Sequence, residues 1–379
     1  YDSYTTLFVR ESIMSVQDSS PILSFDPRRL TLARELQGVR KSDLARSLGV
    51  SAVTITHWES GNRNPTKDNV YALALTLGVA PSFLESQFSE APLISGAPHF
   101  RSLRSTTQLS RNQAQAYTQV VQDVVHTMNE YVDFPDLVLP NILTDSDLPG
   151  SEIPRLAAEQ VRKDWGLGNK PVQHVVRAME NHGIVVVFAP FHSAAIDAYS
   201  TFGSEAPVVV LNPTKGDYYR QRFDAAHELG HLVMHADADP GHKVLEAQAH
   251  AFAAEFLAPS ACIQDELPTV MNGQGWMKLK ELKEYWGISM QALLYRAKEL
   301  GRLSDDAYRN AMVTVSRNGW RSKEPGLISS LEEPSLIPHA ISLIEESGIP
   351  VEILREKSRV PQHYFEVITA RRPVLPVSV

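Results

Sequence analysis

Cysteine is nearly absent: Cys262 is the single one in 379 residues. That excludes a disulfide framework and suits a reducing compartment, with the thiol expected to be a small buried residue. No apolar run approaches the roughly 18 residues of a membrane span, and the N-terminus carries no signal-peptide core. The chain is therefore expected to be cytoplasmic and to have no membrane partner. Net positive charge is lacking too, since 36 Lys/Arg face 44 Asp/Glu for a balance of −8. A protein coated in nucleic acid is excluded by that balance, but a local basic face is not. No Gly-rich phosphate loop, Ser-His-Asp set or low-complexity tract stands out. What remains is a chain with 43% hydrophobic residues, enough for two or three domains with real cores.

The stretch Phe223–Pro259 carries the chemistry. Within it, His227-Glu228-Leu229-Gly230-His231 predicts a helix, because Ala225, Ala226, Leu229, Leu232 and Val233 form one apolar side. On a helix His227 and His231 are one turn apart and present their rings on the same face. Two such imidazoles can grip one Zn²⁺, which lowers the pKa of a bound water to about 7, and Glu228 is placed to take the proton as general base.

A catalytic zinc needs a third protein ligand and one open position, and four residues compete. His235 lies a further turn along, but three ligands on one straight helix cannot converge on one ion. Asp237 has the metzincin spacing, yet Met234 stands where that arrangement needs a helix-ending Gly. His242, in the turn-rich loop after Asp237, stays open. Glu246 opens a second helical run that Pro259 closes, and a carboxylate from a helix packed across the first would complete a two-His, one-Glu site. Glu246 is favoured. Two imidazoles and a carboxylate suit zinc, with Mn²⁺ as the alternative ion.

His227–His231 followed by Glu246, Ala247, Phe252, Ala253, Leu257 and Pro259 resembles the ImmA/IrrE family of metallopeptidases. Trp165-Gly166-Leu167, Gly183-Ile184-Val185-Val186, Ile196-Asp197, Val209-Val210-Leu211-Asn212 and Arg220-Gln221-Arg222-Phe223 extend the likeness upstream. The resemblance implies metal binding by His227, His231 and Glu246 and catalysis by Glu228. It also implies cleavage of a transcriptional repressor or antitoxin that relieves repression in a stress response or of a mobile element. His250 stands where the family often has Asn, and Asp224 where it often has Thr; His250 is a candidate to support or replace a ligand.

Toward the N-terminus, helices are predicted at Pro27–Leu36, Lys41–Leu48, Ser51–Glu59, Lys67–Leu77 and Pro81–Leu84, with Gly49 ending the second and Ser51 capping the third. The short Gly49-Val50 break between two helices is a helix-turn-helix pattern. Leu44-Ala45, Leu48-Gly49-Val50-Ser51, Ile55, Trp58-Glu59-Ser60-Gly61, Pro65, Leu73-Ala74 and Leu77-Gly78-Val79 resemble phage-repressor-type (XRE) DNA-binding domains. From Asp26 to Gly78 eight Lys/Arg face five acids, a balance of +3 against −8 overall, which leaves a modest phosphate-facing surface for double-stranded DNA. The expected contacts are Lys41, Ser51, Ala52, Val53, Thr54, Thr56 and His57. These residues touch thymine methyls or make single hydrogen bonds, but include no Arg or Asn for bidentate base reading.

The expected architecture is multidomain, with an all-α helix-turn-helix domain, an α+β minimal zincin-like peptidase domain and a helical C-terminal region. Residues 1–24 are set aside as a disordered or foreign lead-in, Met14 being an expected start. Residues 25–86 form the XRE unit, 87–108 a linker, 109–268 the peptidase and 269–379 the helical region. A long helix over Ser110–Tyr131, polar on one side, is expected to bury Val120, Val121, Val124, Val125 and Met128; it also allows a homodimer. Two strands, Ile184–Phe188 and Val208–Leu211, back the active-site helices. Three functions compete. One is a zinc endopeptidase carrying its own DNA-binding domain. The second is a DNA-binding regulator whose metal site is sensory or structural, and the third is an antitoxin-like module that contacts a protein through its helix-turn-helix.

Overall fold

The structure, a computed structural model, describes residues 8–9, 25–85, 99–100, 107–140, 150, 152–190, 198–235, 243–327 and 329–374. A two-residue strand, β1 (Phe8–Val9), pairs antiparallel with β3 (Val132–Asp133), so part of the stretch set aside above is joined to the fold. The N-terminal unit follows as α1 (Pro27–Leu36), α2 (Lys41–Ser47), α3 (Ala52–Glu59), α4 (Lys67–Leu77) and a closing 3₁₀ turn, Pro81–Leu84. Ser51 caps α3 as its sequence position predicts, and two further helix ends are capped as well. Asp26 accepts from the Arg28 amide at 2.8 Å, Ser51 from the Thr54 amide at 3.1 Å, and Gly78 ends α4 at φ +64°. Leu30, Leu44, Ile55 and Leu73 are fully buried between these helices.

After β2 (His99–Phe100) comes α5 (Gln108–Met128). It is not a half-exposed amphipathic helix. From Ala114 onward its polar side is largely buried as well, and polar groups along the helix meet partners from distant segments. Asp123 pairs with Arg29 of α1 at 2.7 Å, Gln113 donates to the Leu36 carbonyl at 2.9 Å, and Gln122 donates to the Ala206 carbonyl at 2.8 Å. Such satisfied partners are what allow polar side chains inside a core. Helix α5 thus joins the N-terminal helical unit to the sheet that follows.

The chain continues through α6 (Ile153–Asp164), α7 (Val175–Glu180), β4 (Val185–Phe188), β5 (Ala198–Thr201) and β6 (Val208–Leu211). The sheet runs β2-β5-β6-β4, with β4 parallel to β6 and the other pairings antiparallel. Alternating residues face two different cores. Val185, Val187, Tyr199, Val208 and Val210 join the N-terminal helices and α5, whereas Val186, Phe188, Ala198, Val209 and Leu211 join a second core with α6, α7 and the helices that follow the sheet.

Next come α8 (Tyr218–Met234), α9 (Lys243–Leu257), α10 (Ser260–Ile263), α11 (Gly273–Trp286), α12 (Met290–Glu299) and α13 (Asp305–Arg317). The last three are α14 (Leu336–Glu346), α15 (Val351–Ser358) and α16 (Gln362–Thr369). The C-terminal region read above as one body divides between the two cores. Helices α11 to α13 complete the core built on α6 to α9, while α14 to α16 pack on α5 and the N-terminal helices. The Tyr364 hydroxyl donates to the Leu36 carbonyl at 2.9 Å, and Arg359 donates to the Ser82 carbonyl at 2.8 Å.

Glu180 fixes the start of α14. Its carboxyl accepts from the amides of Ser335 and Leu336 at 2.9 and 3.0 Å and meets the Ser335 hydroxyl at 2.8 Å. Complete burial pushes its pKa up to about 7, against these hydrogen bonds. The fold then keeps a proton that the unfolded chain releases near 4.5. Its contribution to stability is full below that value and is lost as pH rises through about 7. Glu180→Gln, the neutral isostere, is expected to flatten this part of the denaturation midpoint against pH. An unchanged slope would mean that Glu180 is ionised in the fold.

Candidate active site

Helix α8 starts from Asp217, whose carboxylate accepts from the Arg220 amide at 2.9 Å. Its middle is buried on every side, because the sheet, α6, α7 and α9 surround it. Close packing against α9 is possible at Gly230, where a Cβ would meet Phe252 Cδ1 at 2.9 Å. That approach brings Glu246, in the first turn of α9, over the two imidazoles of α8. The Nε2 atoms of His227 and His231 are 3.1 Å apart, and each is 3.4 Å from a carboxylate oxygen of Glu246. Zinc–nitrogen bonds of about 2.0–2.1 Å in a tetrahedron would put donor atoms roughly 3.3 Å apart. The three donors lie within 4.8 Å of one another, so their chemistry and spacing both fit a zinc ion. Burial opposes ionisation of Glu246, but its close contacts with the two imidazole rings outweigh it and hold the carboxyl at about 2.

The surroundings orient these groups. His231 Nδ1 and His235 Nδ1 are 3.0 Å apart, and His235 Nε2 lies 3.0 Å from Gln248 Oε1. Since Gln248 Oε1 only accepts, His235 carries its proton on Nε2 and accepts at Nδ1 from His231. The Nε2 lone pair of His231 then points at Glu246 and His227, the tautomer that a metal ligand needs. Burial, with His231 adding to it, pushes the His235 pKa down to about 4 despite the Gln248 bond, which keeps His235 neutral. Glu228 is fully buried and accepts from the Ser200 hydroxyl at 2.8 Å.

His250 and several polar residues near α8 are placed elsewhere. His250 packs on Phe223, their ring centroids 4.7 Å apart, and is not among the converging donors. Asp237 and His242 lie outside the described residues. Arg222 is buried in an ion pair with Glu332, Tyr199 donates to the Ala114 carbonyl at 3.1 Å, and Arg220 is 3.6 Å from Asp224. These are structural engagements. Ser200 and Gln248 escaped the sequence reading. Strand β5 is four small or polar-edged residues, all buried, without the alternation that announces a strand. Gln248 has a weak signal, two residues beyond Glu246 on the second helix.

In the helix-turn-helix, Ser51, Ala52, Val53, Thr56 and His57 are exposed on α3 and Thr54 is half-buried, bonded to Ser51. Lys41 is not a bare phosphate contact, because its Nζ sits 2.8 Å from Glu59, which also pairs with Arg34. Arg29 is likewise committed to Asp123. Arg40, Arg63 and Lys67 stand exposed, so the basic surface is narrower than the count of charges suggests.

Fold and site together define a helix-turn-helix domain joined to a peptidase-type domain built around a His-Glu-x-x-His helix. Residues 30–84 match the helix-turn-helix family, and residues 179–298 match the IrrE N-terminal-like domain of the Peptidase_M78 family. The chain thus carries an XRE-type helix-turn-helix and an ImmA/IrrE-type peptidase domain. No curated protein matches the chain. Among solved structures, the crystal structure of ComR from Streptococcus suis is similar at 13% identity over 90% of this chain and 87% of that one, with a TM-score of 0.15. Among the described residues no helix is long and apolar enough to cross a membrane.

Proposed function

We propose that the chain is a zinc-dependent endopeptidase that cleaves a transcriptional repressor or antitoxin and is brought to double-stranded DNA by its helix-turn-helix. The observation that carries this reading is the convergence of His227, His231 and Glu246 at tetrahedral donor spacing beside the buried Glu228. His227 and His231 through Nε2 and Glu246 through its carboxylate would hold the ion. A zinc ion there supplies Lewis acidity that polarises a peptide carbonyl and acidifies water. Glu228 takes the proton from the attacking water and passes it to the leaving amine. Ser200 holds the Glu228 carboxylate in place, and His235 with Gln248 fixes the His231 ring. Mn²⁺ is the alternative ion for the same donors. The absence of charged bidentate readers on α3 supports binding to DNA with modest base discrimination.

Metal content is the direct test. The parent chain is expected to hold close to one zinc per chain, and Glu246→Ala is expected to lose most of it while its circular dichroism is retained. A parent that takes up no zinc even when zinc is supplied would mean a degenerate site.

A second reading, a DNA-binding regulator whose metal is sensory or structural, is supported by the packing of the helix-turn-helix onto the same sheet that backs α8. An operator footprint that survives Glu228→Gln and responds to zinc would favour it over the peptidase.

A further inference from the structure

Strand β5 lies between the candidate active site and the outer edge of the sheet. On one side its Ser200 hydroxyl bonds Glu228 at 2.8 Å. On its other long edge it is paired antiparallel with β2, Ser200 facing His99 and Tyr199 facing Phe100. Extended peptides bind proteins by adding a strand to such an edge, where backbone hydrogen bonds supply affinity. The position one strand out from Ser200 is therefore where an extended segment would run past Glu228. A stretch of this chain, from between the helix-turn-helix and α5, already fills it.

Two features separate this from ordinary edge protection. Among the described residues strand β2 is His99–Phe100, and these two residues make the pairing with Ser200 and Tyr199 that a substrate segment would take over. The edge that it covers is the one whose central residue touches Glu228, whereas β4 at the opposite side of the sheet is remote from that contact. We propose that His99–Phe100 occupies in cis the β5 edge on which a protein substrate is laid out, so that an extended substrate segment binds by displacing it. The proposal rests on the peptidase reading above for what is bound, but the occupancy of the edge can be measured without catalysis. A tethered segment acts at an effective concentration on the order of millimolar, so it holds back any free peptide that binds more weakly than that.

The test uses the full zinc-loaded chain with Glu228→Gln to prevent hydrolysis. The probe is a fluorescent peptide with the sequence of residues 96–104. Replacing both His99 and Phe100 with proline removes their backbone donors. The peptide is expected to bind this variant at least about tenfold more tightly than the chain with β2 intact, as expected when a tethered competitor is removed. Amide exchange over residues 198–201 should speed up in the variant and slow again when peptide is added. If the proline pair disturbs the fold, replacement of both residues by glycine gives the same comparison with less strain. Equal affinity for the intact and altered chains, or no protection of 198–201 by the peptide, overturns the proposal. Restoring Glu228 in the altered chain separates the two readings, since tight binding without any cleavage sinks the peptidase and leaves the occupied edge standing.

Discussion

Glu228→Gln is expected to keep its zinc and to lose peptide hydrolysis by roughly 10²- to 10⁴-fold, the usual contribution of a general base. The substitution is nearly isosteric, and the amide oxygen can still accept from Ser200, which now bonds the carboxylate at 2.8 Å. The proposed metal donors are His227, His231 and Glu246, so ion content should not change. What is lost is the ability of residue 228 to accept a proton. Turnover is measured on an unfolded protein such as carboxymethylated casein and on repressors encoded near the gene, with zinc quantified in the same samples. Full activity in the variant would remove Glu228 from the mechanism.

Arg222→Leu is expected to destabilise the chain by about 3–5 kcal/mol, the range for breaking one half of a buried charge pair. Arg222 is 1% exposed and forms an ion pair with Glu332. Its guanidinium also donates to the carbonyls of Val172 and Gly287 at 2.6 and 3.0 Å. Leucine leaves those acceptors and the Glu332 charge behind in a dry interior. Because these partners come from the segments before α7, after α11 and before α14, the loss is felt across the peptidase core. Denaturant unfolding should show it as a lower midpoint with the slope retained. The double variant with Glu332→Leu should recover part of the loss, as a coupled pair does. A shift below about 1 kcal/mol would place the network outside the stability of the fold.

Much of the site can be read in the sequence because its signals are local. His227 and His231 are one turn apart on a helix whose apolar side is written in the same residues, and α2 and α3 are bracketed by a glycine and a capping serine. Glu246 is 15 residues beyond His231, yet it is found by the same logic, a second helix that must cross the first. The residues that escaped are those whose role depends on tertiary placement. Ser200 sits on a strand with no alternation because both faces are buried. The polar side of α5 looks solvated until Arg29, Leu36 and Ala206 supply its partners from distant segments. Lys41 looks like a phosphate contact until Glu59 comes within 2.8 Å. The division of the C-terminal helices between two cores has the same cause, since helical period shows which face is apolar but not what will cover it.

The four-stranded sheet has a thermodynamic consequence. Its alternating residues belong to one core on the DNA-binding side and another on the peptidase side, so neither side can melt without stripping a face from the other. Anything that binds the folded form stabilises it by mass action, by about 2.7 kcal/mol at a hundredfold excess over its dissociation constant. Zinc at one end and DNA at the other would then add to the same melting transition. A helix-turn-helix built this way gains in folded population when the metal site fills, even if the ion never alters its shape.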